Sequence, residues 1–158
     1  MKKILCIFVT LFLTLSLSAC GNQKGTDNGD VCYVTIDCHT AVSSVNLSGD
    51  IRELQPENGM VLEKYAVGIT EGMNAMEAFE ATCKANKLQF EYATMSGMKY
   101  VDGINNLYSF ACGDLSGWYF LYNGESPSVG MSEIRVEKDA ELLLIYSCDM
   151  GSDIGASM

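Results

Sequence analysis

Short stretches in which apolar and polar residues alternate run through most of the chain, and this period of two is expected of β-strands that bury one face. The strands predicted in this way lie at 31–38, 61–69, 88–92, 118–122, 134–136 and 142–148. The last stretch contains Leu-Leu-Leu-Ile-Tyr and is apolar on both faces, so we expect it at the centre of a sheet covered on both sides. Residues 39–59 and 93–117 lack this period and are predicted to be loops and turns.

One helix is predicted after residue 73. Asn74 can cap its first turn, and Glu77 stands three residues later, where its side chain can return to the cap. Met76, Phe79 and Cys83 repeat at helical spacing and form an apolar stripe. Strands surrounding a single helix indicate an α+β fold, with the helix packed across one face of the sheet.

The aromatic strand at 118–122 holds the only tryptophan of the chain. Alternation sends Trp118, Phe120 and Tyr122 to one face, and Tyr119 with the following leucine to the other. Asn123 and the glycine after it supply the positive φ angles of a tight turn. The first set is predicted to fill the core beneath the helix, which leaves the second set available for a ligand.

The chain begins with a segment typical of exported proteins. Lys2 and Lys3 precede an apolar run at 4–17 that is too short for an ordinary membrane span. The run ends in Leu-Ser-Ala-Cys-Gly, which resembles the bacterial lipobox, with Cys20 as the lipidated residue. The alternative is a plain signal with a chance cysteine. We expect residues 1–19 to be removed and the protein to be held on the extracellular face of a bacterial membrane, since two or more acyl chains anchor stably.

Residues 20–30 are polar and rich in glycine, and are predicted to be a flexible tether. Residues 31–158 have the length of one ordinary domain. Without Lys2 and Lys3, the chain has eight basic and 20 acidic residues, a formal charge of −12. This charge disfavours nucleic acid and anionic lipid surfaces as partners.

The predicted mature domain contains five cysteines besides Cys20. They are Cys32, Cys38, Cys83, Cys112 and Cys148. Export permits disulfides, and two bridges with one spare thiol is the natural expectation. No clustered spacing suggests zinc. The single histidine, His39, follows Cys38 directly, but adjacent strand residues point to opposite faces. The sequence therefore predicts no metal site and no catalytic residues.

Two segments of the second half carry a family resemblance. "YVDGINNLYSFACGDLSGWYFLYNG" and "LLLIYSCDMGSDIG" resemble the bacterial lipoprotein domain family of unknown function that is related to the transcobalamin C-terminal domain. The resemblance extends over about residues 31–156. It implies a β-grasp-like mixed sheet with one main helix, export, and no established enzymatic activity. Two departures are Met131, where members often have a cysteine, and "EKDAE", which replaces a commoner Gly-Asp turn.

The β-grasp-like fold implied by the resemblance makes the first and last strands parallel neighbours. Cys38 and Cys148 stand at the C-terminal ends of these strands, so a disulfide between them is predicted. The Met131 departure leaves Cys112 without its usual partner. The pairing of Cys32, Cys83 and Cys112 stays open.

The resemblance also implies a ligand, because cobalamin lies between a helical barrel and this kind of domain in transcobalamin and intrinsic factor. We therefore expect a non-enzymatic module that requires no cofactor and binds cobalamin or a related corrinoid, with a helical-barrel protein or a vitamin transporter as its partner. The candidate ligand-binding residues are Trp118, Tyr119, Tyr122, Asn123, Ser126 and Met131. The alternative is a cell-surface interaction or adhesion module with no small-molecule ligand.

Overall fold

The computed structural model describes residues 29–95 and 97–156. Within them the strands are β1 (Val31–Asp37), β2 (Met60–Gly68), β3 (Phe90–Met95), β4 (Met98–Ile104), β5 (Leu107–Tyr108), β6 (Gly117–Tyr122) and β7 (Glu141–Ser147). The helices of this part are α1 (His39–Ser43), α2 (Gly49–Glu53) and α3 (Ala75–Asn86), with 3-10 turns at Met131–Glu133 and Ser152–Ile154. The predicted signal peptide, Cys20 and the tether up to residue 28 lie outside the described residues.

Four strands form a mixed sheet in the order β2-β1-β7-β6. β1 and β7 run parallel, with Asp37 opposite Ile145, and the two outer pairs are antiparallel. The prediction that the last strand is central is confirmed, because β7 lies between β1 and β6. Its side chains at Leu142 and Leu144 are buried towards α3, and Ile145 is buried on the opposite face.

Helix α3 packs across one face of this sheet, as the apolar stripe predicts. Asn74 Oδ1 accepts from the backbone N–H of Glu77 at 2.9 Å, and Glu77 Oε2 accepts from the N–H of Asn74 at 2.8 Å, so the capping box is complete. Phe79 and Cys83 are fully buried in the main core. The ring of Phe79 meets that of Phe90 edge to face at 5.3 Å. These contacts join α3 to the strands on both sides of the core.

A second sheet has the order β3-β4-β5. The strand predicted at 88–92 overlaps β3, whereas β4 and β5 lie in the segment predicted to be loops. This sheet completes the core with Val101 and Ile104. Residues 39–59 contain the short helices α1 and α2 instead of irregular chain only. Residues 134–136 are not a strand, since only Arg135 forms an isolated bridge, to Asn74. The fold is thus α+β, with one main helix and two sheets.

The chain after β7 covers the back of the mixed sheet. Leu121 and Ile145 are buried there with Ala156, and Tyr119 packs against the same cluster. At the other end of the domain, Asp30 is attached to the fold by an ion pair with Lys138 at 2.8 Å. Among the described residues, none of the helices has the length and apolar character needed to span a bilayer.

Candidate functional site

An open groove lies between the exposed edges of the two sheets, where β4 faces β6. Its volume is about 220 Å³. The lining residues come from β4, β6, β7 and the loop that follows β6; they are Lys99, Tyr100, Val101, Trp118, Tyr119, Phe120, Ser126, Pro127, Val129, Gly130, Met131 and Leu144. Most of these side chains are apolar or aromatic. The groove therefore has the mainly apolar lining with a few polar groups that is common in ligand sites.

The strand edges on both sides of the groove have no strand partner among the described residues. β6 pairs with β7 on one side only, and β4 pairs with β5 only at Gly103 and Ile104. At the end of β6, the N–H of Asn123 donates to the carbonyl of Glu141 in β7. The N–H of Tyr122 points away from β7 and donates to the carbonyl of Glu125. By alternation, the backbone groups of Trp118 and Phe120 face outward as well. The groove thus offers backbone donors and acceptors besides its apolar walls.

The Asn-Gly turn fixes the end of β6, as predicted. Asn123 and Gly124 have φ angles of 51° and 83°, and Tyr122 and Glu125 exchange backbone hydrogen bonds across them at 2.8 and 3.1 Å. Asn123 Oδ1 also accepts from the N–H of Glu141 at 2.8 Å. The turn aims the following loop back towards β4, so that Ser126 and Val129 line the groove.

Trp118 belongs to the core and to the groove at once. Its indole Nε1 donates to the carbonyl oxygen of Leu107 at 2.8 Å, and its ring meets Tyr146 edge to face at 5.3 Å. The indole is nonetheless only partly buried and lines the groove, as does Phe120. The expectation that Trp118, Phe120 and Tyr122 pack beneath the helix is correct for one side of each ring.

Lys99 carries the positive charge of the groove lining. Its ammonium lies 3.7 Å from the centre of the Tyr92 ring and 3.8 Å from Glu80 Oε1. The Tyr92 hydroxyl donates to the same carboxylate at 2.9 Å. Burial, together with Glu80, raises the pKa of Tyr92 well above its usual value. Lys99 is thus held at the rim of the groove by an aromatic ring and a carboxylate.

Four of the six predicted ligand-binding residues line the groove, namely Trp118, Tyr119, Ser126 and Met131. The ring of Tyr119, however, packs on the back of the mixed sheet. Tyr122 and Asn123 do not line it. The Tyr122 hydroxyl accepts from the N–H of Glu137 at 3.1 Å, and the Asn123 side chain is used in the turn. Whether the four residues bind a ligand stays a prediction.

The β4 wall of the groove, Lys99 to Val101, was not predicted from the sequence. Tyr100 and Val101, an aromatic and a β-branched residue in succession, are the local signal that could have revealed the strand. Phe120 and Leu144 were assigned to the core alone, because sequence patterns do not show which core edges stay open.

The five described cysteines are free thiols, so the bridge predicted between Cys38 and Cys148 is not found. The parallel register explains why. β1 ends at Asp37 opposite Ile145, so Cys148 lies two positions further along the sheet than Cys38, a displacement of about 6.6 Å. Cys148 packs instead against the small core that contains Cys112.

The adjacent Cys38 and His39 diverge, as predicted. The Cys38 thiol is fully buried and donates to Gln55 Oε1 at 3.9 Å, while the imidazole of His39 lies half exposed, 2.9 Å from Asp37. Burial, followed by the charges of Asp37 and Cys112, raises the pKa of Cys38 to about 12. In the part of the chain that is described, no three histidine, cysteine or acidic residues converge as metal ligands.

The fold and the site together define a class of protein, a small α+β domain with an open apolar groove between its sheets. The chain matches, over residues 72–147, the model of a family described as a domain of unknown function, DUF4430. No curated protein sequence matches the chain. Together with the fold, this match confirms the resemblance to a transcobalamin-like domain of unknown function.

Several solved structures are similar to this chain. Haptocorrin, solved in complex with Cbi, is 18% identical with a TM-score of 0.53, and the match covers 74% of this chain and 25% of haptocorrin. A candidate metal-binding protein from Ruminococcus gnavus ATCC 29149 is 8% identical with a TM-score of 0.44, covering 75% of this chain and 96% of that protein. This chain thus corresponds to about a quarter of the length of haptocorrin, with which it shares a fold.

Proposed function

We propose that this domain is a non-enzymatic ligand-binding module and that its binding site is the groove between β4 and β6. The observation that carries the proposal is the groove itself, in which aromatic walls from Trp118 and Phe120 lie beside strand edges without strand partners in the described chain. Aromatic rings provide a large contact area at low entropic cost. The strand edges add backbone donors and acceptors that can select for polar groups on a ligand.

The ligand we propose is cobalamin or a related corrinoid. Support comes from the fold shared with haptocorrin, which was solved in complex with Cbi. A corrinoid is a flat macrocycle with amide side chains, and the free strand edges beside Phe120 and Lys99 suit amides at its rim. The apolar walls suit the face or edge of the ring.

A partner follows from the size of the groove. Its volume of about 220 Å³ is below the roughly 300–1,000 Å³ of sites that enclose a drug-sized ligand, so the groove can cover only part of a corrinoid. Three quarters of haptocorrin have no counterpart in this chain. We propose that a helical-barrel protein or a vitamin transporter supplies the rest of the site, and that the domain alone binds weakly.

The location belongs to the proposal as well. The positive start, the short apolar run and the lipobox-like Leu-Ser-Ala-Cys-Gly support cleavage before Cys20 and attachment to the membrane by lipid at that residue. The domain would then stand outside the cell on the tether of residues 20–30. The parallel pairing of β1 with β7 and the helix across the sheet support a β-grasp-like description of the fold.

The single tryptophan provides the test, because Trp118 lines the groove. The purified full chain is titrated with cyanocobalamin and with cobinamide, and tryptophan emission is corrected against free N-acetyltryptophanamide. We expect saturable quenching, accompanied by heat in isothermal titration. If neither saturation nor heat is found up to about 1 mM ligand, where binding would contribute only about 4 kcal/mol, the corrinoid proposal is wrong.

An interaction module without a small-molecule ligand is the second candidate, and one observation favours it. Three large apolar side chains, Phe110, Leu115 and Met150, are 65%, 50% and 52% exposed. Their segments adjoin, since the N–H of Met150 bonds to the carbonyl of Leu115. Exposed apolar patches of this kind mark protein-binding surfaces. Replacing Phe110 and Met150 by serine should then reduce crosslinking to envelope proteins in intact cells and leave corrinoid titrations unchanged.

A further inference from the structure

Three of the five described cysteines meet at one end of the domain. Cys38 and Cys112 are buried in a small core with Leu47, Leu107 and Tyr146, and Cys148 packs against this cluster from its partly exposed position. Cys112 lies in the loop between β5 and β6, and Cys148 directly follows β7. The remaining two, Cys32 and Cys83, are fully buried in the main core.

The three thiols are not equivalent. Cys148 packs against the small core that contains Cys112, and the N–H of Met150 bonds to the carbonyl of Leu115, so the chain after β7 lies beside the loop of Cys112. The Cys38 thiol instead donates to the side-chain oxygen of Gln55. Cys148 is the one of the three that solvent reaches. Cys112 and Cys148 are therefore the pair in which the two residues lie close together and one of them is reached by solvent.

We propose that Cys112 and Cys148 form a disulfide by thiol–disulfide exchange with a small external disulfide. The Cys148 thiolate attacks one sulfur of the external disulfide, so that a mixed disulfide forms and one small thiolate leaves. The Cys112 thiolate then attacks the Cys148 sulfur and displaces the second small thiolate. The protein loses two protons and two electrons, and the external disulfide becomes two thiols.

The surroundings of Cys112 act on its thiolate in two opposite ways. Burial raises the pKa of Cys112 to about 11, and the Cys148 thiol acts in the same direction, while Ser44 and Arg52 oppose both. The guanidinium of Arg52 is fixed there by bonds to the carbonyls of Val42, Ser44 and Leu47, and it favours the thiolate when that forms.

The bridge would attach the loop before β6 to the end of β7. That loop already depends on β7, because the Tyr146 hydroxyl donates to the carbonyl of Tyr108 at 2.8 Å and accepts from the N–H of Ala111 at 3.2 Å. It leads directly into Gly117 and Trp118, the start of the groove wall. The disulfide therefore restrains the groove as well as the unfolded chain.

Trypsin gives a direct test, since it cuts after Lys99, Arg135 and Lys138 and leaves Cys112 and Cys148 on separate peptides, 100–135 and 139–158. The full chain in mild detergent is incubated with glutathione disulfide, blocked with N-ethylmaleimide under unfolding conditions and mapped without reduction. We expect these two peptides to be linked, and Cys32, Cys38 and Cys83 to be alkylated. A link from 25–52 to either peptide, a lasting glutathione adduct on Cys148, or no reaction would overturn the proposal.

Variants separate the roles of the two cysteines. C148S should abolish all reaction, and C112S should accumulate the glutathione adduct on Cys148. C38S is the matched control, because it removes the third thiol of the cluster and should keep the link. Oxidation should raise the thermal midpoint of the wild type and of C38S by several degrees and leave that of C112S unchanged. If C112S does not fold, the peptide map of the wild type decides alone.

Discussion

The indole Nε1 of Trp118 donates a hydrogen bond to the carbonyl oxygen of Leu107, 2.8 Å away. This bond joins β6, the edge of the mixed sheet, to β5 in the second sheet. It holds the two sheets together at the Trp118 end of the groove, while further along β6 their edges stay open. The groove therefore depends on a side-chain bond at a place where backbone pairing is absent from the described chain.

Replacing Trp118 by phenylalanine should weaken this connection. The carbonyl of the fully buried Leu107 loses its side-chain donor, and loss of one hydrogen bond typically costs about 0.5–1.5 kcal/mol. We expect the free energy of unfolding in urea, followed by circular dichroism, to fall by that amount. V45A serves as the control, because Val45 is 96% exposed. Equal stability of W118F and V45A would contradict the role assigned to the indole.

The capping box of α3 makes a second prediction. N74A removes the side-chain oxygen that accepts from the N–H of Glu77, and loss of such a cap costs about 1 kcal/mol. E77Q is the matched control, since its amide oxygen can still accept from the N–H of Asn74. Urea unfolding should show a clear loss for N74A and a much smaller one for E77Q. The opposite order would mean that the negative charge at the helix start contributes more to stability than the hydrogen bond of the cap does.

Local patterns predicted the elements whose burial follows a simple period. β1, β6 and β7 alternate or are wholly apolar, and the Asn74 cap marks the start of α3, so all of them lie within a residue or two of the predicted bounds. β4 was missed because Asp102-Gly103 has the composition of a turn. Gly103 instead allows close packing within the sheet, since a Cβ there would lie 2.5 Å from the ring of Tyr108.

The site was only half predictable for a related reason. The loop from Ser126 to Met131 follows from the turn at Asn123, which is a local signal. The opposite wall at Lys99 comes from a strand of the other sheet, and nothing in the local sequence indicates that β4 faces β6. The packing of Cys148 against the core that contains Cys112 likewise depends on how the loop before β6 folds over the end of β7. Register and loop placement are tertiary properties that periodicity does not encode.

Asp153 provides a prediction on acid stability. Burial alone would raise the pKa of this carboxyl, but hydrogen bonds from the Ser147 hydroxyl and from the N–H of Cys148 at 2.8 Å hold it below its ordinary value of 3.8. A lowered folded pKa gives stability that is fully present above the unfolded pKa and is lost as the pH falls through the folded one.

We therefore expect wild-type stability to decline as the pH falls from about 4, with D153N less stable than the wild type at pH 7 and closer to it in acid. Asp153 is exposed, so solvent screening keeps the difference small. Thermal unfolding of both proteins between neutral and acid pH measures it. A constant difference across this range would show that Asp153 acts through shape and not through its charge.

A charge placed inside the groove gives the sharpest test of its role. Val129 lines the groove and is 46% exposed, so V129D should fold normally. A carboxylate there must lose water when an apolar ligand surface covers it, and a penalty of only 1.4 kcal/mol weakens binding tenfold. We expect at least that loss in the affinity for cobinamide, measured by quenching of Trp118. V45D adds the same charge at a fully exposed position outside the groove lining, so it controls for net charge and should bind like the wild type. Equal affinities of V129D and V45D would place the ligand somewhere other than the groove.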